Sequence, residues 1–161
     1  MEEEYGRNSI ELEGHWKKIK RRDSLNLIEV RIILNQHGWL SPEEVSEDGN
    51  AALFLVIQHS NLKDQIKYLP MLRKAVLDGK ASGQDLALLE DRVLLGQGES
   101  QIYGSQVYRN KDTGEYYVAP MINPSSVNDR RKEIGLIPIE DYLLHWNINW
   151  QIELAKLKDR Y

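Results

Sequence analysis

The sequence predicts a mainly α-helical chain of the α+β class: a single-domain helical bundle around a buried central helix, with one antiparallel β-hairpin near residues 101–121. Three observations favour this class. Apolar residues recur at helical spacing through most of the chain. The run Ala51–Ile57 is apolar on every side, as expected of a helix surrounded by protein. Near residues 101–121 the pattern becomes strand-like, rich in tyrosine, valine and isoleucine.

The composition is that of one globular domain. The 161 residues suffice for one sizeable core, 41% of them are apolar and 29% charged, and no low-complexity linker divides them. The formal net charge of −4 argues against non-specific nucleic-acid binding. No apolar stretch approaches the ~18 residues of a membrane span, and Met1–Glu4 lacks the regions of a signal peptide. We therefore expect no membrane partner and a cytoplasmic location, although a chain whose leader had been removed would look the same.

Two helices are expected at the start of the chain. Residues 8–22 read as a surface helix that ends in the basic run Lys17–Arg22, and residues 1–22 as a basic N-terminal extension. We interpret the run as a solvated helix end, because positive charge is favourable at helix C-termini. Asp23 and Ser24 then supply N-cap chemistry for a second helix, which continues to Gly38.

The middle of the chain predicts three more helical segments around the apolar run. Ser41-Pro42-Glu43-Glu44 is a strong helix start, because a capping hydroxyl precedes a proline and a glutamate follows three residues after the serine. A loop at residues 47–50 then leads into the run, which ends in Gln58 and His59. The later segments are a helix capped by Ser60-Asn61 and kinked at Pro70, and a helix over residues 84–95.

A hairpin and two helices complete the expected fold. The hairpin strands cover residues 101–108 and 115–121, and the turn-forming residues 110–114 connect them. Alternation would then place Gln101, Tyr103 and Ser105 on one face. A short helix should end at Gly135, and Pro138 should open a long C-terminal helix that contains Trp146 and Trp150, of which residues 144–161 are an extension.

The polar end of the apolar run predicts a small polar pocket. Unpaired polar groups at a buried helix end would cost about 1–3 kcal/mol each, so Gln58 and His59 need partners. His59 is the candidate general acid or base, since an imidazole at the edge of a core can have its pKa adjusted towards neutrality. The alternative is a buried histidine whose hydrogen bonds are purely structural. Gln65 is a further candidate substrate-binding residue.

Two adjacent arginines are the candidate anion clamp. Arg130 and Arg131 lie between Val127 and Ile134, so they flank the core-facing side of a short helix. Guanidinium groups placed in this way can bind phosphate or carboxylate. Equally, they could bind acidic side chains or the carbonyl groups at helix ends.

The segment Gln101–Gln106 supplies further candidates. Glycine within a strand often marks close approach of a backbone or a ligand, and Gln101, Tyr103 and Gln106 could orient a polar substrate beside it. A strand edge with satisfied side chains is an equal alternative. Asp91-Arg92 reads first as a structural ion pair or network; otherwise Arg92 would bind substrate, and either Asp91 or Tyr103 would orient His59.

Several familiar sites are excluded. The chain has no cysteine, which rules out disulfides, thiol catalysis and thiolate metal sites. It also lacks G-x-S-x-G, the G-x-x-x-x-G-K-[ST] phosphate loop, the dinucleotide G-x-G-x-x-G and H-E-x-x-H. No two of the four histidines have metal-ligand spacing. We expect neither a metal nor a cofactor.

The order of short motifs supports a family resemblance. In chain order the motifs are Gly38-Trp39-Leu40-Ser41, Gln58-His59, Gln65, Tyr68-Leu69-Pro70, Asp91-Arg92, Gln101-Ile102-Tyr103-Gly104-Ser105-Gln106, Val127-Asn128-Asp129-Arg130-Arg131 and Gly135-Leu136. Together they resemble a bacterial family known only as a domain of unknown function, with a core over residues 25–143. Leu40 and Ser105 stand where that pattern has proline and threonine. The resemblance implies no activity.

Three functional hypotheses follow from the residues. The first is a small hydrolase or group transferase for an anionic small molecule or nucleotide-like substrate, with His59 as acid or base and the two arginines as clamp. The alternative is a non-catalytic binding, immunity or regulatory module that meets a protein partner through its N- or C-terminal helix, with Trp16, Trp146 and Trp150 as contacts. The third is a lysozyme-like glycosidase that would need two of Glu44, Asp91 and Glu99.

Overall fold

The computed structural model describes residues 10–158, and these form two compact units that divide between Ser60 and Asn61. The described residues contain seven α-helices, two short 3₁₀ turns and one two-stranded antiparallel sheet. The predicted class, mainly α with a single β-hairpin, is therefore confirmed. None of the described helices combines the length and apolarity that a membrane span would need.

The first unit begins with one long helix, α1 (Ile10–His37), where two helices were predicted. Ser24 does not cap a second helix. Its Oγ donates to the carbonyl of Lys20 at 2.8 Å, the bond that a serine makes inside a continuous helix. The basic side chains of Lys17–Arg22 are exposed in the middle of α1 and not at its end. Val30 and Leu34 supply its buried face.

Helix α2 (Pro42–Gln58) starts as predicted, and the Glu44 carboxylate accepts the backbone N–H of Ser41 at 2.8 Å. The predicted loop at 47–50 is wrong, because the helix is interrupted at Ser46 alone, which has φ 69° and ψ 165°. The Ser46 Oγ accepts the N–H of Gly49 at 3.3 Å, so this serine starts the second half of α2.

The apolar run in α2 is not buried on every side, which corrects the expectation of a buried central helix. Leu53, Phe54 and Ile57 are buried, whereas Leu55 is 50% exposed and both alanines, Ala51 and Ala52, face solvent. The run is therefore amphipathic. Its solvent side is largely alanine, which a hydropathy pattern counts as apolar but which costs little to expose.

The second unit opens with two helices that pack together, α3 (Leu62–Leu77) and α4 (Gly83–Gly96). Asn61 caps α3 as predicted, accepting the N–H of Asp64 at 3.2 Å. Pro70 lies inside α3 on its exposed side, and the helix continues beyond it. The buried face of α3 is offset from the predicted stripe, since Ile66 is 40% exposed. The buried residues are Asp64, Gln65, Tyr68, Leu69, Leu72 and Ala75.

The hairpin is shorter than predicted. Strand β1 (Val107–Arg109) pairs antiparallel with β2 (Tyr116–Val118), with Val107 opposite Val118. Residues 102–106 are a loop, and only an isolated bridge joins Gln101 to Met121. The predicted strand alternation over 101–106 is therefore wrong, because Gly104 has φ +71° and turns the chain away from an extended course.

The C-terminal helices are short and separate. A 3₁₀ turn (Pro124–Ser126) leads into α5 (Val127–Glu133), and α6 (Ile139–Leu143) runs into a second 3₁₀ turn (Leu144–Trp146). Asn147, with φ 54°, then breaks the predicted long helix before the last helix begins. That helix is α7 (Trp150–Lys158). The core of this region contains Val118, Met121, Val127, Ile139, Leu143, Trp150 and Leu157.

Candidate functional site

The loop Gln101–Gln106 is the centre of a polar network in the second unit, and Asp91 of α4 holds its backbone. The Asp91 side chain is fully buried. Its carboxylate accepts the backbone N–H groups of Ile102 at 2.7 Å, Tyr103 at 3.0 Å and Ser105 at 2.8 Å. Burial raises the pKa of Asp91, and these N–H donors act in the opposite direction. One side chain thus satisfies three backbone donors of an irregular loop.

The two glutamines of the loop close it on itself. Gln101 is fully buried, and its Oε1 accepts the backbone N–H of Gln106 at 2.9 Å. Its Nε2 donates to the carbonyl of Gln106 at 3.1 Å and to that of Ala119 at 2.9 Å. The Gln106 Nε2 donates to the carbonyl of Leu88 at 3.3 Å. Both amides therefore fasten the loop to α4 and to the residues after β2.

Arg130 binds backbone carbonyl groups of this loop and of the segment after β2. Its Nε donates to the carbonyl of Ile102 at 2.8 Å, and its Nη2 donates to those of Ile122 at 2.8 Å and Asn123 at 3.2 Å. Nη1 donates to Ser126 Oγ at 3.2 Å. Every nitrogen of this guanidinium already has a protein acceptor, as in the carbonyl-binding alternative of the sequence analysis.

Arg131 also binds carbonyls, but it keeps part of its guanidinium unused. Only 2% of the residue is exposed, its Nε donates to the carbonyl of Ile137 at 2.6 Å, and its Nη1 donates to that of Tyr103 at 2.7 Å. The guanidinium carbon lies 4.8 Å from the ring centroid of Tyr142. Nη2 donates to no residue that the structure describes. Burial lowers the pKa of Arg131, but arginine stays charged at neutral pH.

A cavity of about 210 Å³ lies beside Arg131. Tyr142 forms part of its wall, and its hydroxyl donates to the carbonyl of Ser105 at 2.9 Å. Burial raises the pKa of Tyr142, so this phenol is a donor and not a base at neutral pH. The lining residues are Gln84, Ala87, Leu88, Ser105, Arg131, Gly135, Leu136, Ile137 and Tyr142.

A comparison with known families supports the resemblance seen in the motif order. A family of unknown function, DUF6624, matches residues 10–153. The chain belongs to this family. The match extends beyond the expected core of residues 25–143 into both terminal helices. No curated protein and no solved structure matches the chain.

The predicted site residues of this DUF6624 chain fall into two groups. The network of the second unit brings together Asp91, Gln101, Tyr103, Gln106, Arg130 and Arg131. Gln58 and His59 belong to the first unit. His59 is exposed at the C-terminus of α2, so the prediction of a core-edge imidazole is wrong, whereas Gln58 is 4% exposed. The helix ends one residue before His59, which places its ring in solvent.

The second unit also contains Arg92, Gln65 and Tyr103. Asp91 belongs to a structural network, which was the first interpretation, whereas the buried Nε of Arg92 has no partner among residues 10–158. Gln65 is buried in α3. Burial, together with the Glu90 and Asp91 carboxylates, raises the pKa of the Tyr103 phenol, which therefore stays protonated at neutral pH.

The glycosidase hypothesis and metal binding gain no support from the geometry. The Glu44 carboxylate caps α2, and that of Asp91 is occupied by backbone donors, so neither faces a cleft as a catalytic carboxylate must. In the part of the chain that the structure describes, no three His, Asp or Glu side chains are grouped as metal ligands.

Two residues of the network were missed from the sequence. Tyr142 contacts Arg131 and Ser105, and Asn128 links α5 to α6: its Oδ1 accepts the N–H of Ile139 at 2.8 Å. The sequence could have indicated Asn128, because it lies within the Val127–Arg131 motif. It contains no feature that indicates Tyr142, which follows a helix start and resembles any amphipathic helical tyrosine.

Proposed function

We propose that this protein is a binding domain for a small organic monoanion, a carboxylate with a short apolar body, held in the cavity beside Arg131. The observation that carries the proposal is the guanidinium itself. It is buried, its Nη2 donates to none of the described residues, and the Asp91 and Glu140 carboxylates act on it without forming an ion pair. Buried charges in proteins are normally paired, so an anionic ligand would complete this site.

The cavity walls favour a monoanion over a phosphate. Arg131 is the only charged side chain among its lining residues, whereas a phosphate dianion favours more than one cation. Ala87, Leu88, Leu136 and Ile137 give the rest of the wall an apolar character. The volume of about 210 Å³ is smaller than the roughly 300–1,000 Å³ of drug-sized pockets, which restricts the ligand to a few heavy atoms.

The residues that line the cavity favour a binding role over a catalytic one. The Ser105 Oγ donates to the carbonyl of Ala87 at 3.2 Å, and Tyr142 donates to a carbonyl, so neither hydroxyl is placed as an activated nucleophile. No histidine or carboxylate lines this cavity of the second unit to act as a general base. The proposal therefore keeps the anionic ligand of the first hypothesis and the non-catalytic character of the second.

The test uses butyrate as the probe and its neutral amide, butyramide, as the control. We expect butyrate to shift the backbone ¹H–¹⁵N resonances of residues 84–88 and 135–137 and the Nε–H resonance of Arg131, whereas butyramide does not. Inorganic phosphate should bind more weakly than butyrate. Equal shifts from butyrate and butyramide, or no shift in these residues from either, would overturn the proposal.

A matched pair of variants separates binding from folding. Gln84 is exposed, lines the cavity and lies in the first turn of α4, where a negative charge is favourable for the helix. Gln84→Glu should therefore keep or raise the stability while it weakens butyrate binding about two- to fivefold by charge repulsion. Gln84→Lys should lower the stability and strengthen butyrate binding. Unchanged butyrate affinity in both variants would count against the cavity.

A further inference from the structure

A second groove lies elsewhere in the second unit, between β2 and α7. Its volume is about 380 Å³, and its wall contains two aromatic rings, Tyr116 and Trp146. Tyr116 is 45% exposed. Trp146 is partly buried and packs on two other rings: its ring lies 5.1 Å from that of Tyr142 and 4.8 Å from that of His145, measured between centroids. A ring that is fixed in this way loses little side-chain freedom when a ligand binds against it.

The charges around this groove balance. Glu153 is 2% exposed, its Oε1 accepts the N–H of Val118 at 3.1 Å, and its Oε2 pairs with Lys156 at 3.2 Å. Glu115 adds a negative charge to the wall, and the Arg109 guanidinium lies 5.8 Å from the Tyr116 ring centroid. Arg109 is not part of the wall, but with its guanidinium beside Tyr116 the number of cations near the groove equals the number of carboxylates, which favours a neutral ligand over an ion.

Apart from these charged groups, the polar side chains of the groove wall are the amides of Asn147 and Asn149. Asn147 occupies the left-handed backbone region at φ 54°, and its side-chain amide makes no hydrogen bond with the described residues. Asn149 accepts the N–H of Ile152 at 3.2 Å through Oδ1, which leaves its Nδ2 without a described acceptor. Amides both donate and accept, which matches ligands whose hydroxyl groups do the same.

We propose that this groove binds a neutral saccharide, with one pyranose ring against Trp146 and its hydroxyls bonded to Asn147 and Asn149. The C–H face of a sugar ring packs on an aromatic face, while the ring of hydroxyls around it needs donors and acceptors together. The volume suits one or two sugar units.

The experiment uses cellobiose, N,N′-diacetylchitobiose and glucuronic acid as probes, with saturation-transfer NMR and titration of the indole N–H resonances. We expect saturation transfer to the ring protons of at least one neutral disaccharide, a shift of the Trp146 indole resonance, and weaker binding of glucuronic acid. If no neutral saccharide shows transfer or moves this resonance, the proposal fails. Butyrate is expected to shift residues 84–88 and 135–137, none of which lines this groove, so the two proposals fail independently.

Asn147→Gly is the decisive variant, because glycine adopts a positive φ without strain while the amide is lost. Its melting temperature should stay the same or rise, and its Kd for the bound disaccharide should increase about fivefold, as expected for a lost hydrogen bond. Asn123→Gly is the matched control, since Asn123 also has a positive φ but lies outside this groove. An equal change of Kd in both variants, or none in Asn147→Gly, would overturn the proposal.

Discussion

The Asp91 carboxylate accepts the backbone N–H of Ser105 at 2.8 Å and thereby joins α4 to a loop 14 residues further along the chain. The same carboxylate holds the N–H groups of Ile102 and Tyr103. A residue proposed from the sequence to orient a catalytic histidine is instead the anchor of a loop. The loop in turn supplies one of the carbonyls that each of Arg130 and Arg131 binds.

Asp91→Asn should destabilise the protein. The amide replaces one carboxylate oxygen with a donor, which leaves at least one buried backbone N–H unsatisfied, at a cost of about 1–3 kcal/mol. Urea unfolding measures the difference. Asp112→Asn is the control, because Asp112 is exposed in the hairpin turn. The stability of this variant should match that of the native protein. Equal stability of the two variants would contradict the anchoring role.

Gly104→Ala should be more destabilising than Gly98→Ala. Both glycines have a positive φ, +71° and +81°, which alone costs an alanine about 1–2 kcal/mol. A Cβ on Gly104 would also lie 2.6 Å from both Ile139 Cδ1 and Met121 Cε, whereas a Cβ on Gly98 meets nothing within 4 Å. Ile139 and Met121 are both fully buried, so their side-chain ends have little room to move aside. Thermal unfolding compares the two variants, and similar losses of stability would show that these two side chains do make room for the methyl group.

His59→Ala should leave both stability and butyrate binding unchanged. The side chain is exposed, and substitutions at such positions usually alter the free energy of unfolding by no more than about 0.5 kcal/mol. His59 is also absent from the lining of the Arg131 cavity. Chemical denaturation and a butyrate titration test this prediction. A clear loss of butyrate affinity with intact folding would show that His59 contributes to binding and would contradict this prediction.

Glu140 should contribute stability at neutral pH that is lost in acid. The Asn128 side chain donates to its carboxylate at 2.8 Å and lowers its pKa from 4.5, while Arg131 acts in the same direction. A lowered pKa in the folded state means that the contribution is complete above pH 4.5 and disappears as the pH falls through the folded-state pKa.

Glu140→Gln tests this direction of the pH dependence of stability. The difference in unfolding free energy between the native protein and Glu140→Gln should be largest near pH 6–7 and should shrink below the ordinary glutamate pKa. Glu47→Gln, an exposed position in the first unit, provides the reference. A difference that grows in acid would reverse the assigned pKa direction.

Local signals explain why much of the fold was predictable from the sequence. Ser41 and Asn61 were identified as helix caps because the partners of a cap lie within three or four residues. The same reasoning failed at Ser24, which has cap chemistry but bonds back to Lys20. Whether a serine starts a helix or continues one depends on packing along the rest of that helix, which a local pattern does not contain.

The sequence indicated which residues belong to the candidate site, but not what each of them binds. The pattern indicated that Arg130 and Arg131 lie beside the core, and they do. It could not indicate that carbonyls 28 residues away would occupy Nε of Arg130 and Nη1 of Arg131. For the same reason Gln101–Gln106 resembled a strand, since the side chain that gathers its N–H groups belongs to a distant helix.

Tyr142 binds the carbonyl of Ser105 across 37 residues, and this separation bears on how the chain folds. Contacts between residues far apart in sequence slow the conformational search, so the loop should acquire its shape late. A nascent chain interrupted before α5 lacks both guanidinium groups that hold the carbonyl side of this loop. The second unit can therefore complete its folding only after the residues up to Tyr142 have left the ribosome.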